Sequence, residues 1–222
     1  MKRYTLIRKL SRDIAQVTKP HPVRVAIDGI DNAGKSTLAD ELGQELRKSG
    51  YHVIRASIDG FHRTRQERYR LGCLSPEGYF YDSFNLDALK ENLLKPLGPA
   101  GNLRFTKEIF DFNTNIPTNR IVEKTHPDAI LLFDGVFLLR PELISYWDFS
   151  VFLHITFKTA LQRALKRDAK RFGGVQETKK RHQERYVPGQ KLYLKTANPM
   201  QKADIIVNNN HPTNPMYARG QT

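Results

Sequence analysis

Eight consecutive residues carry the sharpest chemical signal in this chain. Gly29-Ile30-Asp31-Asn32-Ala33-Gly34-Lys35-Ser36 satisfies G-x-x-x-x-G-K-[ST], with Thr37 following. Glycines let a backbone wrap closely around phosphate oxygens, and successive N–H groups then converge on the anion. A helix opening at the end of the loop adds the positive end of its dipole. Lys35 is placed to reach the outer phosphates of a nucleotide, and the Ser36 hydroxyl to ligate Mg²⁺. Gly29, Asp31, Asn32, Ala33, Gly34, Lys35, Ser36 and Thr37 are therefore expected to bind a nucleotide. A second acid belongs at the end of another strand. Ile130-Leu131-Leu132-Phe133-Asp134 supplies four apolar residues and a carboxylate, so Asp134 joins Ser36 as the expected metal pair. Arg163, Arg167 and Arg171 lie four apart, so they share one face of a helix. Three guanidiniums there suit the spread charge of a transferring phosphoryl group.

The surrounding pattern says what holds these groups. Val23–Asp28 is an apolar run ending at the loop, and 37–49 reads as the following helix with Gly50 as its stop. Further strands are expected at 52–58, 129–133, 149–155 and 203–207. Helices are expected at 5–18, 86–97, 140–146 and 158–172, with 176–196 mostly helical. Residues 98–126 read as a small polar β insertion. Strands alternating with helices predict an α/β fold with a mainly parallel sheet, whose ligands sit beyond the carboxyl ends of the strands. The expected organisation is one domain over 1–222, with an N-terminal amphipathic helix (1–20), an acceptor-side insertion (98–126), a helical arginine lid (158–196) and a flexible tail (208–222).

The second strand ends Ser57-Ile58-Asp59-Gly60-Phe61-His62-Arg63. Here the chain resembles the uridine kinase and phosphoribulokinase branch of P-loop kinases. The resemblance continues through Gly78–Leu89, Phe110-Asp111-Phe112, Asp134-Gly135-Val136-Phe137, Arg163–Asp168 and Ala203–Val207, in the family's order. It implies a P-loop NTPase fold of the nucleoside- and nucleotide-kinase kind. It also implies an ATP-dependent, Mg²⁺-using phosphotransferase with a small hydroxyl acceptor, first of all the 5′-hydroxyl of uridine or cytidine. By resemblance, Asp59 accepts the acceptor proton and Asp82 holds ribose hydroxyls. Tyr81 lies in the same matched segment, and His62 beside the presumed base is a further substrate contact. Phe110 and Phe112 match aromatic positions around the base, and Asn115 sits near a position where the family has His. Arg163 and Arg167 match lid arginines, and Asp204 falls in a segment resembling the loop beside adenine. Two departures bear on the acceptor: Phe110 lacks the family's tyrosine hydroxyl, and Asn115 replaces histidine. The run Arg63, Arg65, Arg68 and Arg70 suits an acidic or already phosphorylated acceptor, and pantothenate or another nucleoside stays open as well.

Charge narrows the alternatives. The formal net charge is +13, but residues 156–195 carry 12 basic and 3 acidic side chains and residues 1–24 carry 7 and 1. The rest is slightly acidic, so the protein is not a uniformly basic polymer binder. A nucleic-acid-binding P-loop ATPase is the competing class; it predicts steep salt dependence, yet the aromatics cluster at 79–84 and 105–112 rather than in the basic segments. No nucleic acid or membrane partner is expected, and a homo-oligomer is left open. The single Cys73 excludes an internal disulfide and suits the cytoplasm, and it is expected to be inert. Trp147 reads as core packing. His21, His126, His154, His182 and His211 lack metal-ligand spacing and are expected to be structural.

Overall fold

The computed structural model describes residues 1–220. Helix α1 (Arg3–Ala15) leads to β1 (Val23–Gly29), α2 (Lys35–Lys48) and β2 (Val53–Ser57). Short helices α3 (Arg65–Arg68), α4 (Pro76–Asp82) and α5 (Leu86–Leu89) follow. Strands β3 (Arg104–Phe105), β4 (Phe110–Asp111), β5 (Ile116–Pro117) and β6 (Glu123–Lys124) form the insertion. After β7 (Ile130–Asp134) and β8 (Phe149–His154) come α6 (Phe157–Arg167), α7 (Ala169–Phe172), α8 (Val175–Arg181), α9 (Val187–Ala197) and α10 (Pro199–Lys202). Strands β9 (Ile205–Asn208) and β10 (Met216–Arg219) close the fold.

The main sheet runs β10-β9-β8-β1-β7-β2, parallel except for β10. Its strands alternate between two cores. Val23, Val25, Ile27, Ile130 and Leu132 pack with α1 and α2, whereas Ala26, Leu131, Phe133 and Phe152 pack with α4, α5 and α9. Each fully buried Leu or Phe contributes roughly 1.5–3 kcal/mol of transfer energy, so burial on both faces fixes the register of the central strands. Pairing of Ile27 and Ser57 with Asp134, and of Gly29 with Leu153, brings the chemically active strand ends to one edge. Trp147 stacks on Phe133, centroids 5.5 Å apart, and its indole N–H donates to Leu138 O, as core packing requires.

The basic N-terminal segment acquires an explanation. Leu6, Ile7, Leu10 and Ile14 bury one face of α1, which packs on α2. Arg3 pairs with Glu41 of α2 at 2.6 Å, and the Lys9 ammonium lies 3.9 Å over the Tyr217 ring. Tyr217 donates to Asp13 at 2.8 Å. Arg3 and Lys9 therefore bind this chain's own α2 and β10. The segment expected as a flexible tail from 208 instead contains β10, paired antiparallel with β9; residues 221–222 lie outside the described part.

Two helix expectations need correction. Only Ile144–Tyr146 of 140–146 is helical, as a 3₁₀ turn. Residues 158–172 are not one unbroken helix: a turn at Asp168 (φ −110°, ψ −9°) separates α6 from α7. Across that turn Arg167 and Arg171 still face one cleft, whereas Arg163 turns to backbone carbonyls. Residues 98–126 do form a hairpin-like insertion, with β4–β5 nested inside β3–β6.

Candidate active site

The loop after β1 has the backbone its sequence demands. Gly29 sits at φ +149°, where an added Cβ would come 2.5 Å from Leu153 O. Asn32 and Gly34 adopt left-handed φ of +61° and +92° before α2 begins at Lys35. Thr37 lies exposed in the first turn of α2. The Lys35 ammonium lies across the loop and donates to Ile30 O at 2.9 Å. At the end of β7, Asp134 accepts from Ser36 Oγ at 2.6 Å and from Arg55 at 2.9 Å. A hydroxyl and a carboxylate oxygen side by side beneath a phosphate loop fit Mg²⁺, which takes few protein ligands and completes its shell with water and phosphate oxygens.

Beneath the loop, Asp28 is wholly buried and accepts from Gly29 N at 2.7 Å and from the Tyr193 hydroxyl. Burial raises its pKa against those hydrogen bonds, and it raises that of Tyr193 well above the usual value. Above it, Asp31 accepts from Tyr79 OH at 2.7 Å and from Gln190 Nε2 at 3.1 Å. The loop is thus tied to α4 and α9.

Asp59 lies in the 3₁₀ turn that follows β2, its side chain 74% accessible. Desolvation acts to raise its pKa. The His62 hydrogen bond and charge, with Lys35 and Arg167, outweigh that and hold it below the ordinary value. His62 Nε2 is 3.4 Å from Asp59 Oδ1, and its Nδ1 lies 3.0 Å from Ser83 O. The imidazole sits between Phe84 and Phe112, with centroids at 4.5 and 4.4 Å.

One cleft of about 660 Å³ collects Asp31, Asn32, Lys35, Ser36, Asp59, His62, Phe112, Asp134, Arg167 and Arg171. Ten expected residues do not line it: Gly29, Ala33, Gly34 and Thr37 of the loop and its helix, and six others. Arg163 donates to the carbonyls of Asn32 at 3.0 Å and Asn209 at 2.7 Å, bracing the loop from behind. Asp204 precedes β9, at the amino edge of the sheet and away from the loop, and accepts from Ser150 at 2.7 Å. Asp82 is held by Arg70 through two 3.0 Å bonds. Asn115 accepts from Arg65 N at 2.8 Å and braces Arg68. Phe110 lines a neighbouring hollow, and Tyr81 is 51% exposed. Of the arginine run, Arg65 and Arg68 line the cleft, whereas Arg63 turns to Phe84 O.

Sequence reasoning missed other lining residues. Arg181 and Arg185 come from the lid region, and Tyr186, whose pKa burial pushes up to about 12, packs edge-on against Tyr79. His182, expected to be structural, lines the cleft and its Nδ1 has no partner among the described residues. Cys73 lines the same wall and is exposed. The excess of cations over acids in 156–195 was the one signal pointing here.

A model described as "Phosphoribulokinase / Uridine kinase family" matches residues 25–215. Among solved structures, a possible uridine kinase from Bacillus stearothermophilus is 24% identical. It superposes with a TM-score of 0.72 over 91% of this chain and 97% of that one. A D-glycerate 3-kinase from Cryptococcus neoformans is 14% identical, with a TM-score of 0.61 over 96% and 99%. These two likenesses carry the fold, and the family match spans the loop, both strand-end acids and the lid. The chain belongs to the phosphoribulokinase / uridine kinase family of phosphotransferases, which act on hydroxyl acceptors with ATP as the donor.

Proposed function

We propose that the protein transfers the γ-phosphoryl group of ATP to a hydroxyl of a small acceptor presented at Asp59. The observation that carries this reading is the convergence of Lys35, Asp59, Asp134 and Arg167 on one cleft. The loop N–H groups and Lys35 bind the triphosphate. Ser36 and Asp134 would hold Mg²⁺, which when bound supplies charge neutralisation at the β- and γ-phosphate oxygens. Asp59 is ionised near neutral pH, because its pKa is held low. It therefore orients the acceptor hydroxyl and receives its proton as the new oxygen–phosphorus bond forms and the bond to the β-phosphate oxygen breaks. Arg167 faces the spread charge of the group in flight. Closure of the lid over both substrates would exclude water and prevent hydrolysis of ATP.

The nucleoside reading, with uridine or cytidine as acceptor, finds less support than the transfer itself. Asp82 and Asn115 spend their polar groups on Arg70, Arg65 and Arg68, and Phe110 lies outside the cleft. The test is ADP release with mass detection of product across a panel of acceptors. Asp59→Ala should lower kcat by about 10²–10⁴-fold while ATP binding stays near normal. Turnover of the variant at the parent rate would remove Asp59 from its role.

A further inference from the structure

Two arginines in the cleft are buried without an acid. Arg68 is 5% exposed and Arg185 is 3% exposed. Neither comes within 4 Å of a carboxylate among the described residues; each ion pair recorded at the cleft involves other cations. Arg68 makes one long contact, 3.4 Å to Asn115 Oδ1, and its Nε has no partner. Arg185 donates to Ser75 O at 3.0 Å. What holds both guanidiniums is aromatic. Arg68 lies 4.6 Å over Phe112, and Arg185 lies 5.0 Å over Tyr69 and 5.4 Å over Tyr79.

A ring face stabilises a guanidinium without occupying its N–H donors. A salt bridge would have consumed those donors and cancelled the charge. Burying an unpaired cation is unfavourable unless something compensates, so a fold that maintains two of them side by side is prepared for an anion. Arg68 lies on the acceptor side of the cleft, and Arg185 spans from there toward the loop, over the Tyr79 ring that holds Asp31. Arg68 stacks on Phe112, Phe112 stacks on His62, and His62 contacts Asp59. This chain of contacts leads from Arg68 to the acceptor base.

We propose that the acceptor itself carries an anionic group, a phosphate monoester or a carboxylate, which seats between Arg68 and Arg185 while its hydroxyl meets Asp59. The inference rests on the transfer reading above. It separates the cleft into two anion sites, one for the donor's phosphates and one for the acceptor's own charge. Asn115, which takes the place of a base-reading group in the resemblance, then serves to position Arg68. Arg171, 4.7 Å over the same Phe112 ring, adds a third cation at the mouth.

The test uses the full chain with Mg²⁺ and a saturating non-hydrolysable ATP analogue, so that the loop is filled. Inorganic phosphate, ribose 5-phosphate and glycerate are then titrated by calorimetry, with ribose and uridine as neutral counterparts. The expected result is one site for an anionic compound and none for its neutral counterpart. The better of ribose 5-phosphate and glycerate identifies the anion as phosphate or carboxylate. Arg68→Gln and Arg185→Gln should each weaken that binding at least tenfold and raise the acceptor KM correspondingly, with KM for ATP within about twofold of the parent. Arg68→Lys should recover part of the loss. A structural role for these arginines predicts a lower Tm in the Gln variants. An anion site predicts a Tm without acceptor equal to or above the parent's, because an unpaired buried charge has been removed.

Binding that is unchanged in both Gln variants, or neutral acceptors phosphorylated with kcat/KM equal to the anionic ones, would overturn the proposal. Anion binding at this site with no transfer to any acceptor would support it and overturn the transfer reading. Efficient transfer to a neutral acceptor without anion binding would do the reverse.

Discussion

The two ends of the cleft hold their charges by opposite means. At the loop end, Lys35 is met by a backbone carbonyl, Asp134 by Ser36 and Arg55, and Asp31 by Tyr79 and Gln190. These groups are satisfied by polar partners that the surrounding strands and helices hold in place. At the far end, Arg68 and Arg185 lean on aromatic faces and keep donors unspent. The difference teaches where generality and selectivity reside. The loop end serves a donor whose shape never varies, so its groups are prearranged. The far end leaves its buried charge unpaired, open to whatever completes it.

That contrast can be broken experimentally, beginning with the largest effect. Lys35→Ala should lower kcat/KM by on the order of 10³-fold, and by the same factor for every acceptor, measured by ADP release. A loss that depended on the acceptor would blur the two ends into one. Tyr79→Phe removes one hydrogen bond to Asp31, worth about 1 kcal/mol. ATP affinity should weaken severalfold with the acceptor KM little changed, read from initial rates.

Asp28 provides a pH test of the loop's foundation. Its folded pKa is raised by burial above 3.8, so the folded chain binds this proton more tightly than the unfolded chain does. The stabilisation is complete below about pH 3.8 and is lost as pH rises through the raised folded value. Asp28→Asn should flatten that part of a Tm-against-pH curve and leave Tm at pH 7 unchanged or higher. A steep loss of Tm at pH 7 would mean that the ionised carboxylate supports the loop. The smallest effect is expected far from both ends. Tyr217→Phe, which removes the bond to Asp13, should lower Tm by no more than about 2–4 °C and leave the kinetics of every substrate unaltered.

What could be read from sequence follows the same division. Residues 29–37 were legible because a phosphate loop is contiguous and each fixed position has a local reason. Asp134 and Asp59 were legible as acids at strand ends. Asp204 could have been excluded by the same rule, since it begins a strand rather than ending one. Arg163 has the spacing of a lid residue, but spacing cannot say that its guanidinium reaches backbone carbonyls of the loop. The turn at Asp168 went unread, because no glycine or proline announces a stop there. Arg68 and Arg185 are 117 residues apart in sequence, and the Tyr69 ring that both approach, at 5.6 and 5.0 Å, became visible only with the fold. The tail was misjudged because β10 has few buried residues of its own and owes its place to pairing with β9.

Cys73 offers a practical opening onto the far end. It is the chain's sole thiol, and it is exposed on the wall that also carries Arg68 and Tyr69. An environment-sensitive fluorophore can therefore be attached at one defined point without engineering other cysteines away. Trp147, packed behind β7 on Phe133, supplies a second optical signal from the core. Emission from the two positions would distinguish a ligand entering the cleft from a rearrangement of the sheet beneath it, in a single titration.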